Sequence, residues 1–239
     1  MSNTLFDLPR LRQRTGVFRD RKHAGQVLAE MLQEWKGSKA LVLAVPSGGV
    51  PVAVKLAEAL DLSLDVAVVS KILLPWNTEA GFGAVAFDGS VWINKEYVEY
   101  FDLDQPTIEK QTQEALEKVQ RRVKLFRADR PWPDLENQAV ILVDDGIAAG
   151  STLRVALMAL HHSGVGKTIV TVPTAHRESL VRIMDRVEAL YCANIRGGPQ
   201  FAVAAAYQQW DDVDETAASR MLKLFRDSCT HSGPFNCSP

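Results

Sequence analysis

The chain has 239 residues, of which 46% are apolar, and its formal net charge is -2. This length suits one large α/β domain or a domain with an insertion. Its Lys and Arg residues are dispersed without the basic stripe that nucleic-acid binding requires. No apolar run approaches the ~20 residues needed to cross a bilayer, and no basic segment followed by an apolar one opens the chain. We therefore expect a cytoplasmic protein that binds neither nucleic acid nor a membrane.

Apolar runs and helix-period segments alternate along the chain. The N-terminal part predicts a helix over residues 20–35, with Asp20 as its N-cap. Buried strands are predicted at residues 40–45, 64–69, 139–143, 168–172 and 189–193. Helices are predicted after the first, third and fourth of these strands, at residues 51–60, 151–162 and 177–187. This alternation predicts an α/β fold with an open, mostly parallel sheet flanked by helices.

An insertion is expected at about residues 72–138, between the second and third predicted strands. Two short apolar runs, 84–87 and 91–93, flank Asp88-Gly89, which is a signal for a β-hairpin with a two-residue type I′ turn. A long amphipathic helix is predicted over residues 106–127, because apolar residues recur along one side of it. We expect one domain over residues 1–227 and a disordered polar tail over residues 228–239.

The three cysteines are an odd number and argue against a disulfide framework. Cys192 lies in an apolar run and is interpreted as a small buried hydrophobe. Cys229 and Cys237 lie in the polar tail, where incidental thiols are the simpler interpretation. The cysteines therefore give no indication of metal or redox chemistry.

Residues 140–152, with the sequence VILVDDGIAAGST, carry the most informative pattern in the chain. Four apolar residues predict a strand covered on both faces, and Asp144 and Asp145 follow at its carboxyl end, where open α/β sheets bind ligands. The next turn has small side chains and hydroxyls, so a phosphate can approach backbone amides at a helix N-terminus. The residues of that turn are Ala148, Ala149, Gly150, Ser151 and Thr152. The alternative is a strand end whose acids serve solubility and helix capping.

Two further segments follow predicted strands. Gly48 and Gly49, preceded by Ser47, allow consecutive amides to form an anion-binding nest, although an ordinary tight turn has the same composition. Lys71 follows the second predicted strand in a Pro- and Gly-containing loop suited to moving over a ligand. A surface lysine is the alternative there. Arg19-Asp20-Arg21, at the start of the first predicted helix, could reach the ligand crevice, but a solvated helix N-terminus is the preferred interpretation.

Residues 140–152 resemble the signature of the type I phosphoribosyltransferases, which binds 5-phosphoribosyl 1-pyrophosphate (PRPP). The resemblance implies that Asp144 and Asp145 hold the ribose hydroxyls and that the turn from Ala148 to Thr152 wraps the 5′-phosphate. It also implies that Ser47, Gly48, Gly49 and Lys71 bind the pyrophosphate of PRPP. A Mg²⁺ ion would bridge pyrophosphate and ribose oxygens, and the two aspartates would contact it through water.

The resemblance also implies a small hood, formed by the N-terminal segment and residues 194–227, that binds the acceptor. Phe201 and Tyr207 are the candidates for stacking on an aromatic base, and packing in the hood core is their alternative role. Dimers are common in the family, so a homodimer stays open.

The chain departs from the family pattern at three places. Relatives often carry Arg or Lys where Ser47 stands. A subgroup carries a basic pair where this chain has Ser70-Lys71. Purine-specific relatives carry an acid at the position of Ala148, which counts against hypoxanthine or guanine as the substrate.

Three functions are therefore weighed. The first is a phosphoribosyltransferase that uses Mg-PRPP and a small nitrogenous acceptor, and the second is a non-catalytic sensor of PRPP or a nucleotide. The third, a receiver domain of the response-regulator type, would need acids after the first strand and a lysine after the last one. Pro46-Ser47 and the residues after Ala193 do not provide them.

Overall fold

The structure is a computed structural model that describes residues 4–128 and 130–231. Its strands are β1 (Thr4–Asp7), β2 (Leu41–Ala44), β3 (Ser63–Val66), β4 (Val69–Leu73), β5 (Gly81–Ala86), β6 (Val91–Ile93), β7 (Ala139–Val143), β8 (Lys167–His176) and β9 (Ala189–Arg196). Its α-helices are α1 (Arg21–Met31), α2 (Gly49–Leu60), α3 (Lys95–Tyr100), α4 (Gln105–Arg127), α5 (Ser151–His162), α6 (Arg177–Met184) and α7 (Glu215–His231).

The main sheet confirms the prediction of an open parallel sheet. Its six strands run in the order β1-β9-β8-β7-β2-β3, and every neighbouring pair is parallel. Alternate residues of β7 enter two different apolar cores, one shared with α1 and α2 and the other with α5 and α6. Helices thus cover both faces, which explains why β7 is a continuous apolar run. Because β2 and β7 are neighbours, the segments that follow them leave the same edge of the sheet.

The predicted strand at residues 64–69 is wrong in its extent. The chain forms β3 in the parallel sheet, leaves it after Val66, and then forms β4 in a separate antiparallel sheet of order β4-β5-β6. The apolar sequence continues across this junction, so periodicity gives no sign that the chain changes sheets. One consequence is that Lys71 lies within β4 and not in a loop after a strand.

The predicted hairpin forms between β5 and β6, but its turn is not the two-residue type I′ turn. The amide of Ala86 donates to the carbonyl of Ser90 (2.9 Å), which leaves three residues in the loop. Among them only Gly89 has a positive φ, of 85°. A type I′ turn needs two such residues, whereas a three-residue loop with a glycine bulge needs one.

Helix α4 spans the predicted residues and begins at Asp104, whose carboxylate accepts from the Thr107 amide (3.0 Å). It packs against β4, β5 and α7 and so connects the second sheet to the end of the chain. Helix α7 continues through His231, so residues 228–231, expected as the start of the tail, are helical. Residues 232–239 lie outside the described residues. No described helix is both long enough and apolar enough to span a membrane.

The hood expected from the N-terminal segment and residues 194–227 has a backbone connection. The amide of Phe18 donates to Ala206 (3.0 Å), and the amide of Gln208 donates back to Phe18 (2.8 Å). These bonds tie the N-terminal segment to the chain that follows β9. Strand β1, which the sequence did not predict, extends this connection by pairing with β9 at the sheet edge.

A buried ion pair attaches α4 to the main sheet. Arg127 donates to the carboxylate of Asp65 in β3, and the two side chains are 1% and 4% exposed. The same guanidinium lies 3.8 Å from the centre of the Trp132 ring. Removing one partner would leave an uncompensated buried charge, which is the costly case for such pairs.

We predict that Asp65→Asn lowers the free energy of unfolding by about 3–5 kcal/mol, because Arg127 loses its counter-charge. Urea denaturation at neutral pH measures the change. Glu58→Gln is the matched control, since the Lys55–Glu58 pair (2.6 Å) is about one-third to two-fifths exposed. It should cost no more than about 1 kcal/mol. Equal effects of the two substitutions would contradict the assignment.

Candidate active site

Two loops meet at the carboxyl ends of β2 and β7. A Cβ added to Gly48 would lie 2.1 Å from Oδ2 of Asp145, and one added to Gly49 would lie 2.8 Å from the carbonyl oxygen of Val143. Both distances are shorter than a Cβ contact allows, so glycine is required by this close approach. The peptide between Pro46 and Ser47 is cis. The loop over residues 46–49, called the glycine loop below, is therefore in direct contact with the acidic end of β7, where Asp144 and Asp145 stand.

The two aspartates have different surroundings. Asp145 accepts a hydrogen bond from Nε of Arg21 (2.8 Å), and the side chains are 16% and 10% exposed. Asp144 lines a cavity, and one of its oxygens accepts from the Asp145 amide (2.8 Å). Within the described residues, no basic side chain lies within ion-pair distance of Asp144. Asp145 is thus held by a cation, whereas Asp144 is available to a ligand.

Burial raises the pKa of Asp144 well above its usual range, and the neighbouring Asp145 carboxylate raises it further. Burial also raises the pKa of Asp145, although the Arg21 guanidinium opposes that shift. Two adjacent, partly desolvated carboxylates are costly to ionise together. A cation or hydroxyl donors placed beside Asp144 would therefore favour its ionised form.

Arg21 is the residue that the sequence interpretation placed wrongly. It is 8% exposed, and besides binding Asp145 it donates to the carbonyl of Asp211 (2.7 Å) and lies 3.6 Å from the centre of the Trp210 ring. Its position as the first residue of α1 suggested a solvated end. The carboxylate partner is 124 residues away in sequence, so no local pattern reveals the contact.

The turn between β7 and α5 has the properties expected of a phosphate site. The amides of Ala148, Ala149 and Gly150 donate to no acceptor within the described part of the chain, and both alanines are exposed. Gly150 has a φ of 82°, a conformation that favours glycine, directly before the first turn of α5. Ser179 of α6 donates to the carbonyl of Ala148 and so orients the turn. Free amides at a helix N-terminus form an anion-binding site.

A cavity of about 250 Å³ joins these segments. Pro46 of the glycine loop, Lys71 of β4, Asp144 and Thr152 of α5 all line it. The Lys71 ammonium donates to the carbonyl of Glu79 (3.1 Å), which also lines the cavity. All three segments singled out in the sequence therefore border one space.

Two basic residues of the cavity, Lys118 and Arg122 of α4, were not found from the sequence. They are four residues apart and so share one side of the helix. That spacing is the only local signal, and on an exposed amphipathic helix it is indistinguishable from a solvated face. Lys118 and Arg122 reach the cavity only because of the way α4 packs on the rest of the protein.

The two acceptor candidates lie in different environments. Tyr207 is 6% exposed, its hydroxyl donates to the carbonyl of Asp145 (2.6 Å), and its ring packs against Phe18 and Trp210. Burial raises the pKa of this hydroxyl well above its usual range, so it stays a donor at neutral pH. Phe201 is partly exposed and lies 4.5 Å below the Arg196 guanidinium. Phe201 therefore offers ring surface, whereas Tyr207 supports the acidic loop from within the hood.

The carboxylates fit a hydrated Mg²⁺ ion and not a metal held by protein ligands alone. Among the described residues, no group of three or more His, Cys, Asp and Glu side chains could hold a metal ion. Mg²⁺ usually keeps several waters and takes one or two carboxylates together with substrate phosphate oxygens. Asp144, exposed to the cavity and without a cation partner, suits that mode of binding.

Comparison with known proteins finds relatives that match most of the chain. No family model matches the chain. It is 34% identical over 212 residues to two Mycobacterium tuberculosis proteins, named "Putative phosphoribosyl transferase MT0597" and "Putative phosphoribosyl transferase Rv0571c". The crystal structure of TT1426 from Thermus thermophilus is 32% identical, with a TM-score of 0.69, and the match covers 87% of this chain and 98% of that one. The chain is thus related over most of its length to proteins named as putative phosphoribosyl transferases.

The match to the M. tuberculosis proteins covers 88% of this chain and 48% of each of theirs. The chain thus spans about half the length of these curated relatives. The near-complete overlap with TT1426 shows that the overall fold is shared with that structure.

We predict that Arg21→Met lowers the free energy of unfolding by about 3–5 kcal/mol at pH 7, because the Asp145 carboxylate loses its cation. Without Arg21 the folded-state pKa of Asp145 rises further above its unfolded value. A carboxyl with a raised folded pKa favours folding at low pH and loses that contribution as pH rises. The deficit of the variant should therefore shrink as pH is lowered from 7 to about 5.

Urea denaturation at both pH values tests this prediction. Arg19→Met is the matched control, because Arg19 is 60% exposed and pairs only with the partly exposed Asp20. It should cost no more than about 1 kcal/mol at either pH. A deficit of Arg21→Met that does not depend on pH would contradict the role given to Asp145.

Proposed function

We propose that this chain is a phosphoribosyltransferase that binds Mg-PRPP and transfers the 5-phosphoribosyl group to a small nitrogenous acceptor, with release of pyrophosphate. The observation that carries the proposal is one cavity lined by Pro46 of the glycine loop, by Lys71 and Asp144, and by Thr152 in the first turn of α5. Each of these segments suits a different part of PRPP. The family relationship supports the same class of reaction.

The proposed roles follow from the chemistry of each segment. Asp144 and Asp145 would accept hydrogen bonds from the ribose hydroxyls, and Arg21 holds the Asp145 carboxylate in place. The amides from Ala148 to Thr152 would bind the 5′-phosphate. Ser47, the amides of Gly48 and Gly49, and Lys71 would bind the pyrophosphate.

In the reaction, the bond between the anomeric carbon and a pyrophosphate oxygen breaks, and a bond to the acceptor nitrogen forms. The sugar passes through an oxocarbenium-like state, so the protein has to hold the ribose, stabilise the leaving pyrophosphate and exclude water. Mg²⁺, when bound, would neutralise pyrophosphate charge, with Asp144 and Asp145 contacting it through water. No side-chain nucleophile is required.

The acceptor is proposed from the hood. Phe201 is partly exposed and is the proposed stacking partner of a planar base, and Ala148 lacks the acid that purine-specific relatives use. We therefore propose an acceptor other than hypoxanthine or guanine. Tyr207 acts in this proposal through Asp145, since its hydroxyl binds the carbonyl of that residue. The cytoplasmic location and the homodimer stay predictions from the sequence.

A PRPP or nucleotide sensor is the second candidate. Ser47 places no charge in the glycine loop, where relatives often carry Arg or Lys. A protein that only binds PRPP does not need such a charge, because it has no leaving group to stabilise. Both candidates predict binding, and only the first predicts turnover. A screen of bases and amines for pyrophosphate release from Mg-PRPP separates them, since a sensor releases none with any acceptor.

We predict that Asp144→Asn weakens Mg-PRPP binding by at least about tenfold, because one charge-assisted contact to ribose or hydrated metal is lost. Isothermal titration calorimetry measures the affinity. Asp134→Asn is the matched control, because Asp134 is exposed and accepts only from the Glu136 amide (3.0 Å). Wild-type protein that does not bind millimolar Mg-PRPP would refute both candidate functions.

Gly48→Ala gives a second test at the other loop. The added Cβ needs the space of the Asp145 carboxylate, so we predict at least a tenfold loss of Mg-PRPP affinity. Gly197→Ala is the control, because the atom nearest to its added Cβ is Nε2 of Gln13 at 3.8 Å. Unchanged affinity in Gly48→Ala would show that the two loops do not form one site.

A further inference from the structure

The glycine loop lacks a cation of its own. Its amides can donate to a pyrophosphate, but none of its residues, Ser47 included, carries a charge. A leaving pyrophosphate develops negative charge that oriented cations stabilise best in a partly desolvated site. Some other part of the chain has to supply that charge if the proposed transfer is efficient.

Arg122 of α4 contacts this loop and also lines the cavity. Its Nη2 lies 3.4 Å from the Ser47 hydroxyl, its Nη1 donates to the carbonyl of Val69 (2.8 Å), and its Nε lies 3.0 Å from Glu215. The side chain is 9% exposed, yet it lines the cavity. The guanidinium is thus held in place, with its Nη2 end directed to the glycine loop.

The remaining donors of Arg122 suit a phosphate. Each Nη carries two N–H groups, and Val69 uses one of those on Nη1. The contact between Nη2 and Ser47 is long for a hydrogen bond, so a phosphate oxygen could replace it at little cost. A planar guanidinium with two N–H groups free matches the oxygens of a phosphate.

The charges around the cavity agree with this arrangement. Lys118 lies one turn before Arg122 on α4, and Lys71 reaches the same cavity from β4. Three basic and two acidic side chains line it, and the acids are Asp144 and Glu79. The cations come from the second sheet and α4, and Pro46 of the glycine loop lines the same cavity. An anion bound there would be close both to the amides of that loop and to these cations.

We propose that Arg122, assisted by Lys118, is a pyrophosphate-binding residue and that α4 supplies the cation that Ser47 does not. The inference rests on the proposed function. Arg122 bound to the pyrophosphate would stabilise the charge that accumulates as the bond to the anomeric carbon breaks. Glu215 and Val69 fix the guanidinium in advance, which lowers the entropy lost on binding. In this proposal the positive charge of Arg122 on α4 takes the place of a cation at position 47 of the glycine loop.

The test is calorimetric titration of the full chain with two probes, Mg-pyrophosphate and ribose 5-phosphate. Arg122→Met should weaken Mg-pyrophosphate binding by about 10- to 100-fold, the range expected for a charge-assisted hydrogen bond. Ribose 5-phosphate should keep its affinity within about twofold, because its contacts are on the other loop. Losing both probes equally would mean that Arg122 only supports the fold, and losing neither would also overturn the inference.

Arg121→Gln is the matched control. Arg121 precedes Arg122, binds the same Glu215 carboxylate (2.6 Å), is 57% exposed and does not line the cavity. Its substitution should leave both affinities unchanged. The double variant Ser47→Arg/Arg122→Met should recover at least tenfold of the lost Mg-pyrophosphate affinity, since it returns a cation to the loop. If the double variant bound Mg-pyrophosphate as weakly as Arg122→Met does, the proposal that Arg122 replaces a cation of the loop would be contradicted.

Lys118→Gln decides the matter if Arg122→Met does not fold. Lys118 is exposed, so its substitution leaves the fold intact, and a loss of about threefold in Mg-pyrophosphate affinity supports the role of α4. Unchanged affinity overturns it. Failure of the proposed function is recognised separately, because wild-type protein would then bind neither probe.

Discussion

The ion pair between Arg21 and Asp145 is the interaction on which the geometry of the candidate site depends. It joins the first helix to the end of β7 and orients one of the two adjacent carboxylates. The same guanidinium binds the carbonyl of Asp211 and stacks on Trp210, and the Tyr207 hydroxyl binds the Asp145 carbonyl. One buried cation therefore connects the hood to the acidic strand end. The close approach of Gly48 to Asp145 then positions the glycine loop.

The division of roles between the two aspartates follows from this pair. Asp145 has its cation within the protein and is enclosed, whereas Asp144 faces the cavity without one. Burial raises the pKa of both groups, and the Asp145 carboxylate raises that of Asp144 further, which makes Asp144 responsive to a cation or to hydroxyl donors. A ligand that supplies either would satisfy Asp144 and leave the structural bond of Asp145 unchanged.

The C-terminal part of helix α4 carries one arginine that anchors the helix and another that lines the cavity. Arg127 near its C-terminus is buried against Asp65 of the main sheet, and Arg122 one turn earlier lines the cavity. Both side chains come from the insertion between β3 and β7. The ion pair between Arg127 and Asp65 fixes the helix and so sets the position of Arg122. A segment outside the parallel sheet thus brings a positive charge to the cavity at the edge of that sheet.

The sequence by itself determined the parallel sheet, the helices between its strands and the two loops of the site. Strand β7 and helix α5 lie at the predicted residues, because uninterrupted apolar runs and helical periodicity are local signals. The acidic strand end and the turn after it are also local, since their chemistry is written in thirteen consecutive residues, 140–152. The acidic strand end could therefore be matched to ribose hydroxyls, and the turn to a phosphate, without knowing which other parts of the chain lie beside them.

Only the tertiary structure decided which charges reach the site. Arg21 looked solvated, and its partner lies 124 residues away, while Arg122 and Lys118 looked like the polar side of an amphipathic helix. The change of sheet between β3 and β4 was hidden in one apolar run, and it moved Lys71 from a loop into a strand. Periodicity and turn chemistry report on a few neighbouring residues, whereas ion pairs and cavity walls depend on how distant elements pack. The two loops and Lys71 were therefore predictable from the sequence, whereas the positions of Arg21, Lys118 and Arg122 were not.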